Sequence, residues 1–234
     1  ATATAGVRVT GNGLTTNGGD IRVTGSSAGG VGVQLGDGSA FAIGSGGGSI
    51  TIEGTGIDAG VLMQGNQVTS GGGAVSITGT GATIGVSLEG SDIDSAGGGI
   101  DIDGIASAAG GIGVSLYDAQ LTGGAGDVIV RGTAAAGIGI QFGYGSAIST
   151  TTGAIGLYGT GADFGLDIAD GALDTDSGDI TLEGTATAAT ATAGVRVTGD
   201  GLVTNGGDIT ITGTSAGGVG VQLGDGSAFA IGSG

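Results

Sequence analysis

The titratable chemistry of this sequence rests on 21 Asp and Glu residues, because it has no His, no Cys and only four Lys and Arg combined, all of them Arg. The densest carboxylate group is Asp92, Asp94, Asp101 and Asp103. Each pair alternates with Ile, which places its carboxylates on the outer face of consecutive strands in one repeat. Paired carboxylates are what acid–base cleavage of a polysaccharide requires. Such sites usually add His, Lys or Arg, and no Arg lies within 25 residues of this cluster in the chain. A solvated face is therefore the preferred reading, ahead of cation binding and of catalysis.

The other carboxylates read as turn formers. Asp174, Asp176 and Asp179 resemble the opening of a calcium loop, but the distal Glu that completes one is missing. An Asx turn at a corner is preferred for them. Asp170, Asp200 and Asp225 fall at a similar turn on three consecutive repeats, where like charges repel unless water or a divalent ion lies between them. Asp20, Asp127, Asp179 and Asp208 precede a strand at a position that Ser49 and Ala74 also fill. Arg8 and Arg196 are equivalent positions pointing outward, either solvated or touching a carboxylate one repeat away. Tyr117, Tyr144 and Tyr158 offer outer-face contacts but too few for an aromatic platform. No catalytic, cofactor-binding or metal residue is assigned.

Composition excludes much else. Zinc and iron–sulfur sites, Ser-His-Asp and Cys-His nucleophiles and Lys Schiff bases lack their residues. A net charge of −17 leaves no basic footprint for nucleic acid or an anionic membrane surface. No window reads as a membrane span. Ala1 opens in mid-pattern, with no leader peptide recognisable. The expectation is a protein that is not an enzyme and requires no cofactor, with weak, non-specific Ca²⁺ or Mg²⁺ binding to surface carboxylates.

The elements that position these residues are repeats. Residues 1–46 and 189–234 align without gaps and are identical at 41 of 46 positions, an offset of 188. Within that unit an apolar-x-apolar-x-Gly signature recurs at Ile21, Ile50, Val75, Ile100, Val128, Ile155, Ile180 and Ile209. Its spacings are 29, 25, 25, 28, 27, 25 and 29 residues, which together make 188. Seven small repeats thus compose one long unit, 1–188, and a second copy begins at 189.

Two more period-2 segments recur in fixed order. One runs through Val7/Val9, Val33/Leu35, Val61/Met63, Val86/Leu88, Val114/Leu116, Ile140/Phe142, Leu166/Ile168, Val195/Val197 and Val221/Leu223. The other is short and centred on Leu14, Phe41, Val68, Ile93, Leu121, Ile148, Leu173, Leu202 and Phe229. Three short strands in 25–29 residues describe one rung of a coil. Collagen would need strict Gly at every third position and abundant Pro, whereas this chain has no Pro. Uneven rungs oppose a left-handed hexapeptide helix. The fold expected is all-β: a right-handed parallel β-helix, or β-solenoid, forming one continuous segment over 1–234. One rung buries roughly six aliphatics at about 1.5–3 kcal/mol each. Ordering its backbone costs about 1–2 kcal/mol per residue, so a rung folds only against its neighbours. The glycines are read as corners requiring positive φ, with Ser, Thr and Ala in narrow interior places.

Runs such as GGDIRVTGSS (18–27), SGDITLEGTA (177–186) and GVGVQLGDGSAFAI (30–43) resemble the repeats of very large bacterial surface proteins. These form the filamentous-haemagglutinin-like and autotransporter-like β-helix group. The resemblance implies an extracellular or cell-surface fibre serving adhesion, biofilm matrix or surface architecture. The expected partner is the chain itself, stacked end to end with open terminal rungs or bundled laterally. An adhesin passenger gripping a surface glycan is the alternative, and a polysaccharide-active β-helix enzyme comes third. For such an enzyme the longest candidate cleft wall is the Ala/Thr run 185–192.

Overall fold

The computed structural model describes residues 4–199, 201–224 and 231–233. They form 22 strands and no helix, and every strand pairing is parallel, giving a β-solenoid of about 8 turns. Three faces wind in repeating order. The first carries Val33, Leu35 and their equivalents, the second the short strands around Val68 and Ile93, and the third the apolar-x-apolar-x-Gly signature.

Register is maintained from rung to rung. On the third face Ile21 pairs with Ile50, then Val75, Ile100, Val128, Ile155, Ile180 and Ile209 in succession. On the first face Val7 leads through Val33, Val61, Val86, Val114, Ile140, Leu166 and Val195 to Val221. Parallel pairing between rungs 25–29 residues apart puts like on like, so the inward aliphatics form continuous columns. Their members from Val33 to Leu202 are almost wholly buried and make one core.

The second face departs from the sequence reading at one rung. Leu14 pairs with Ile43, and Ile43 with Val68, so Ile43 and not Phe41 occupies the column. Phe41 lies opposite Asn66 instead. A shift of two residues keeps both side chains inward, and both are buried. The register break between Gly36 and Phe41 absorbs the extra length. At the other end Leu202 pairs with Ile231, whereas Phe229 lies outside the described residues.

The three strands of a rung are not everywhere separate. Ile100–Tyr117 and Val128–Gly143 are continuous strands that carry the third face of one rung into the first face of the next. The corner they cross is a glycine seam. A Cβ on Gly54, Gly79, Gly104, Gly132, Gly159 or Gly184 would collide with the backbone carbonyl oxygen of a facing glycine, such as Gly113 for Gly104. These seam glycines have ordinary φ. Positive φ at corners accounts for other glycines, such as Gly65 and Gly90, but the seam exists because two backbones touch there.

Between the second and third faces runs a buried hydroxyl column of Ser45, Ser70, Ser95, Thr150, Thr175 and Thr204. Ser45 Oγ donates to the Ser70 carbonyl at 3.0 Å and Ser70 Oγ to the Ser95 carbonyl at 3.1 Å. Ser95 Oγ donates to the Gly123 carbonyl at 3.2 Å, and Thr204 Oγ1 to that of Gly178 at 3.1 Å. Thr150 Oγ1 donates instead to the Gly153 carbonyl of its own rung at 2.6 Å, while the other hydroxyls tie one rung to the next.

Candidate functional site: a tyrosine corner on the outer face

The corner that follows the first face turns through the left-handed region. Gly65, Gly90 and Gly199 occupy it on three rungs, with φ of 67°, 55° and 98°. On three consecutive rungs between them the same corner is held by Asp118, Tyr144 and Asp170, with φ of 50°, 32° and 55°. The Asp118 N–H donates to the Tyr144 carbonyl at 3.0 Å, the Tyr144 N–H to the Ala169 carbonyl at 3.3 Å, and the Asp170 N–H to the Thr198 carbonyl at 3.2 Å. Asp readily adopts this conformation, whereas a bulky aromatic there is unusual and costs of order 1–3 kcal/mol.

The turn at Tyr144 swings its ring onto that of Tyr117. The two are stacked, with centroids 5.7 Å apart and planes 14° from parallel. Both rings stay in solvent, at 54% and 66% exposure. A groove of about 400 Å³ runs beside them, lined also by Gln141, Asp167, Ala169 and Asp170. Its floor is low because Gly143 and Ala169 follow Tyr117 in the column of paired residues.

One wall is a polar row in strict register, Ser115–Gln141–Asp167–Arg196. Asp167 is only 5% exposed. Arg196 grips it with two bonds, Nε to Oδ1 at 2.6 Å and Nη2 to Oδ2 at 2.7 Å. The guanidinium also lies 4.4 Å from the centroid of the Phe164 ring. The Gln141 amide and the two phenol hydroxyls make no hydrogen bond to the described residues, so they remain available as donors and acceptors.

The four-Asp cluster is divided by a corner. Asp92 and Asp94 flank buried Ile93 on the second face, while Asp101 and Asp103 flank Ile102 on the third. Asp94 Oδ1 accepts the Ala96 N–H at 2.8 Å, an Asx turn into a residue with φ of 51°. Arg131, distant in sequence, sits one rung on and binds Asp101 at 2.7 Å. Its guanidinium also lies 5.9 Å from the centroid of the Tyr158 ring. The 28-residue rung that pairs Asp103 with Arg131 carries this proximity, which counting along the chain misses.

Three of the remaining carboxylates link neighbouring rungs. Asp20, Asp127 and Asp179 each accept, at 2.8 Å, the N–H of the equivalent residue one rung on: Ser49, Ala154 and Asp208. Asp174 and Asp176 stay exposed, and among the described residues no group of three or more His, Cys, Asp or Glu is arranged around a common metal position. Asp170 stacks under Gly199 rather than beneath an Asp, and Asp200 and Asp225 lie outside the described residues. Of the two alternatives for Arg196, solvation or a carboxylate one rung away, the structure shows the second. The 185–192 run folds back, with the Thr187 and Ala188 N–H groups donating to Gly161 and Ala162. It walls no cleft.

Sequence reasoning missed the tyrosine pair. In register Tyr117 faces Gly143, and Tyr144 is one residue too far along. Only the left-handed turn at Tyr144 brings the rings together. No protein-family model, curated protein or solved structure matches the chain, so its outer surface must be interpreted from its own geometry.

Proposed function

We propose that this chain is a length of structural shaft in a very large, repetitive bacterial surface protein, of the filamentous-haemagglutinin-like and autotransporter-like kind, working outside the cell. Its role is mechanical and not enzymatic. The observation that supports this reading is the continuous parallel stacking of like strands through about 8 turns, combined with a 188-residue unit that begins again within the chain. A coil whose rungs are interchangeable in register extends by adding units, and its stiffness comes from hydrogen bonds parallel to the axis. The carboxylates lie mostly on the outside, where they keep such a rod dispersed.

Tandem arrays of the 188-residue unit, imaged by electron cryomicroscopy, test the shaft. Straight rods should lengthen by about 34 Å per unit, from seven rungs of ~4.8 Å. Particles whose length does not scale with copy number would refute it. Antibody raised against the chain should label producing cells without permeabilisation. Labelling only after permeabilisation would remove the extracellular assignment.

A further inference from the structure

The geometry points to a saccharide-binding site at the tyrosine corner, one that takes a neutral pyranoside between the Tyr117–Tyr144 pair and the Gln141–Asp167 row. Three observations meet there. The first is the stacked, exposed aromatic pair at positions that other rungs fill without an aromatic: Gly or Asp at the Tyr144 corner, and Glu89 or Gly143 opposite Tyr117. The second is the left-handed backbone of Tyr144, a conformation that Gly adopts without strain. A strained residue persists where the surrounding structure holds it, and here the strain presents a ring to solvent. The third is the groove beside that ring, about 400 Å³, where the Gln141 amide and the two phenol hydroxyls have no hydrogen-bond partner among the described residues.

The chemistry fits a sugar ring. A pyranose has an apolar C–H face and an equatorial rim of hydroxyls. The C–H face complements the negative face of an aromatic ring. The hydroxyls complement the Ser115 hydroxyl, the Gln141 amide and the two phenol groups, while Asp167, held by Arg196, closes the end of the row. A peptide would more naturally add as a strand to a free sheet edge, but both flanks of these strands are already paired, Leu116 with Leu88 and Phe142, and Gly143 with Ala169. Charge selects among sugars. Arg196 neutralises Asp167, whereas Asp118 and Asp170 at the same corner make no ion pair among the described residues, so an acidic sugar is repelled. The proposal goes beyond the shaft reading and does not depend on it.

The chain has three Tyr and no Trp, so its intrinsic emission reports on this corner. The full chain, in its Tyr158→Phe form to silence the third ring, is titrated with chitotetraose, cellotetraose, maltotetraose and tetragalacturonate. At least one neutral tetrasaccharide should change the emission saturably, and tetragalacturonate should bind at least ~10-fold more weakly. Tyr144→Gly keeps the corner conformation that other rungs use, so it should fold and lose binding by at least ~10-fold. Tyr117→Ser, on an outward strand position, should do the same with an unchanged circular dichroism spectrum. The proposal is overturned by no saturable response to any neutral saccharide, by equal binding of the acidic one, or by a folded Tyr144→Gly or Tyr117→Ser chain that binds as the parent does. A chain that binds sugar yet fails to form rods in tandem would leave this site standing and remove the shaft.

Discussion

At the residue scale, glycine has two separable jobs in this coil. Gly104 has ordinary φ and touches the Gly113 backbone, whereas Gly90 has φ of 55° and open space around it. Gly104→Ala must push two strands apart and should cost about 1–3 kcal/mol. Gly90→Asn should stay within about 1 kcal/mol of the parent, because Asn enters the left-handed region with little penalty. Urea unfolding of the two variants checks the order, and equal midpoints would contradict the seam. The Arg196–Asp167 pair is a second residue-level case. Arg196→Ala leaves a buried carboxylate without its partner and should cost about 1.5–3 kcal/mol. Adding Asp167→Ser, the residue found at the equivalent Ser87 and Ser115, should restore most of that loss. A double variant as unstable as the single one would show that the charge was not the cause.

At the scale of the strand, stability is a column property. Ile102 is fully buried between Ile77 below and Val130 above. Ile102→Asp introduces an unpaired charge into three rungs at once and should cost several kcal/mol. Hydrogen exchange should then quicken in the strands around Val75–Gly81, Ile100–Tyr117 and Val128–Gly143 before it does at Ile180–Ala186. Uniform loss of protection along the coil would mean that the rungs are not nearest-neighbour units. The strands themselves were legible because period-2 apolar residues recur at rung spacing. Strand boundaries were less so, since the seam lets Ile100–Tyr117 run through a corner where the Gly-rich sequence predicts a turn. The Phe41/Ile43 choice was also beyond reach, because two inward residues two apart satisfy the same pattern.

At the scale of the whole molecule, charge governs how rods meet. Seventeen net negative charges over about 8 turns, at ~4.8 Å per rung, amount to roughly one per 2.3 Å of axis. Duplex DNA carries one per about 1.7 Å and condenses counterions. Rods should repel at low salt, and Ca²⁺ or Mg²⁺ should bundle them by bridging carboxylates of neighbouring rods. Light scattering should rise on adding Ca²⁺ and fall again with chelator, while circular dichroism stays constant throughout. Unfolding by chelator would make the ion structural and overturn the reading of Asp20, Asp127 and Asp179 as acceptors of rung-to-rung hydrogen bonds alone.

The coil was determined by the sequence itself. Parallel stacking needs only that like positions return at intervals the turns can absorb, and the eight apolar-x-apolar-x-Gly segments state those positions one by one. The exclusion of His, Cys and Lys chemistry was equally legible, since it depends on composition alone. Tertiary structure decided the surface. Which outward side chains meet depends on rung length and on how each corner turns, and neither follows from spacing along the chain. Thus Asp101 meets Arg131 and Asp167 meets Arg196 across rungs. Tyr117 meets Tyr144 because one residue at a corner adopts positive φ. Inward positions are dictated by a repeating pattern of burial, but the outer ones answer to local backbone geometry, which the sequence leaves open wherever a residue other than Gly takes the turn.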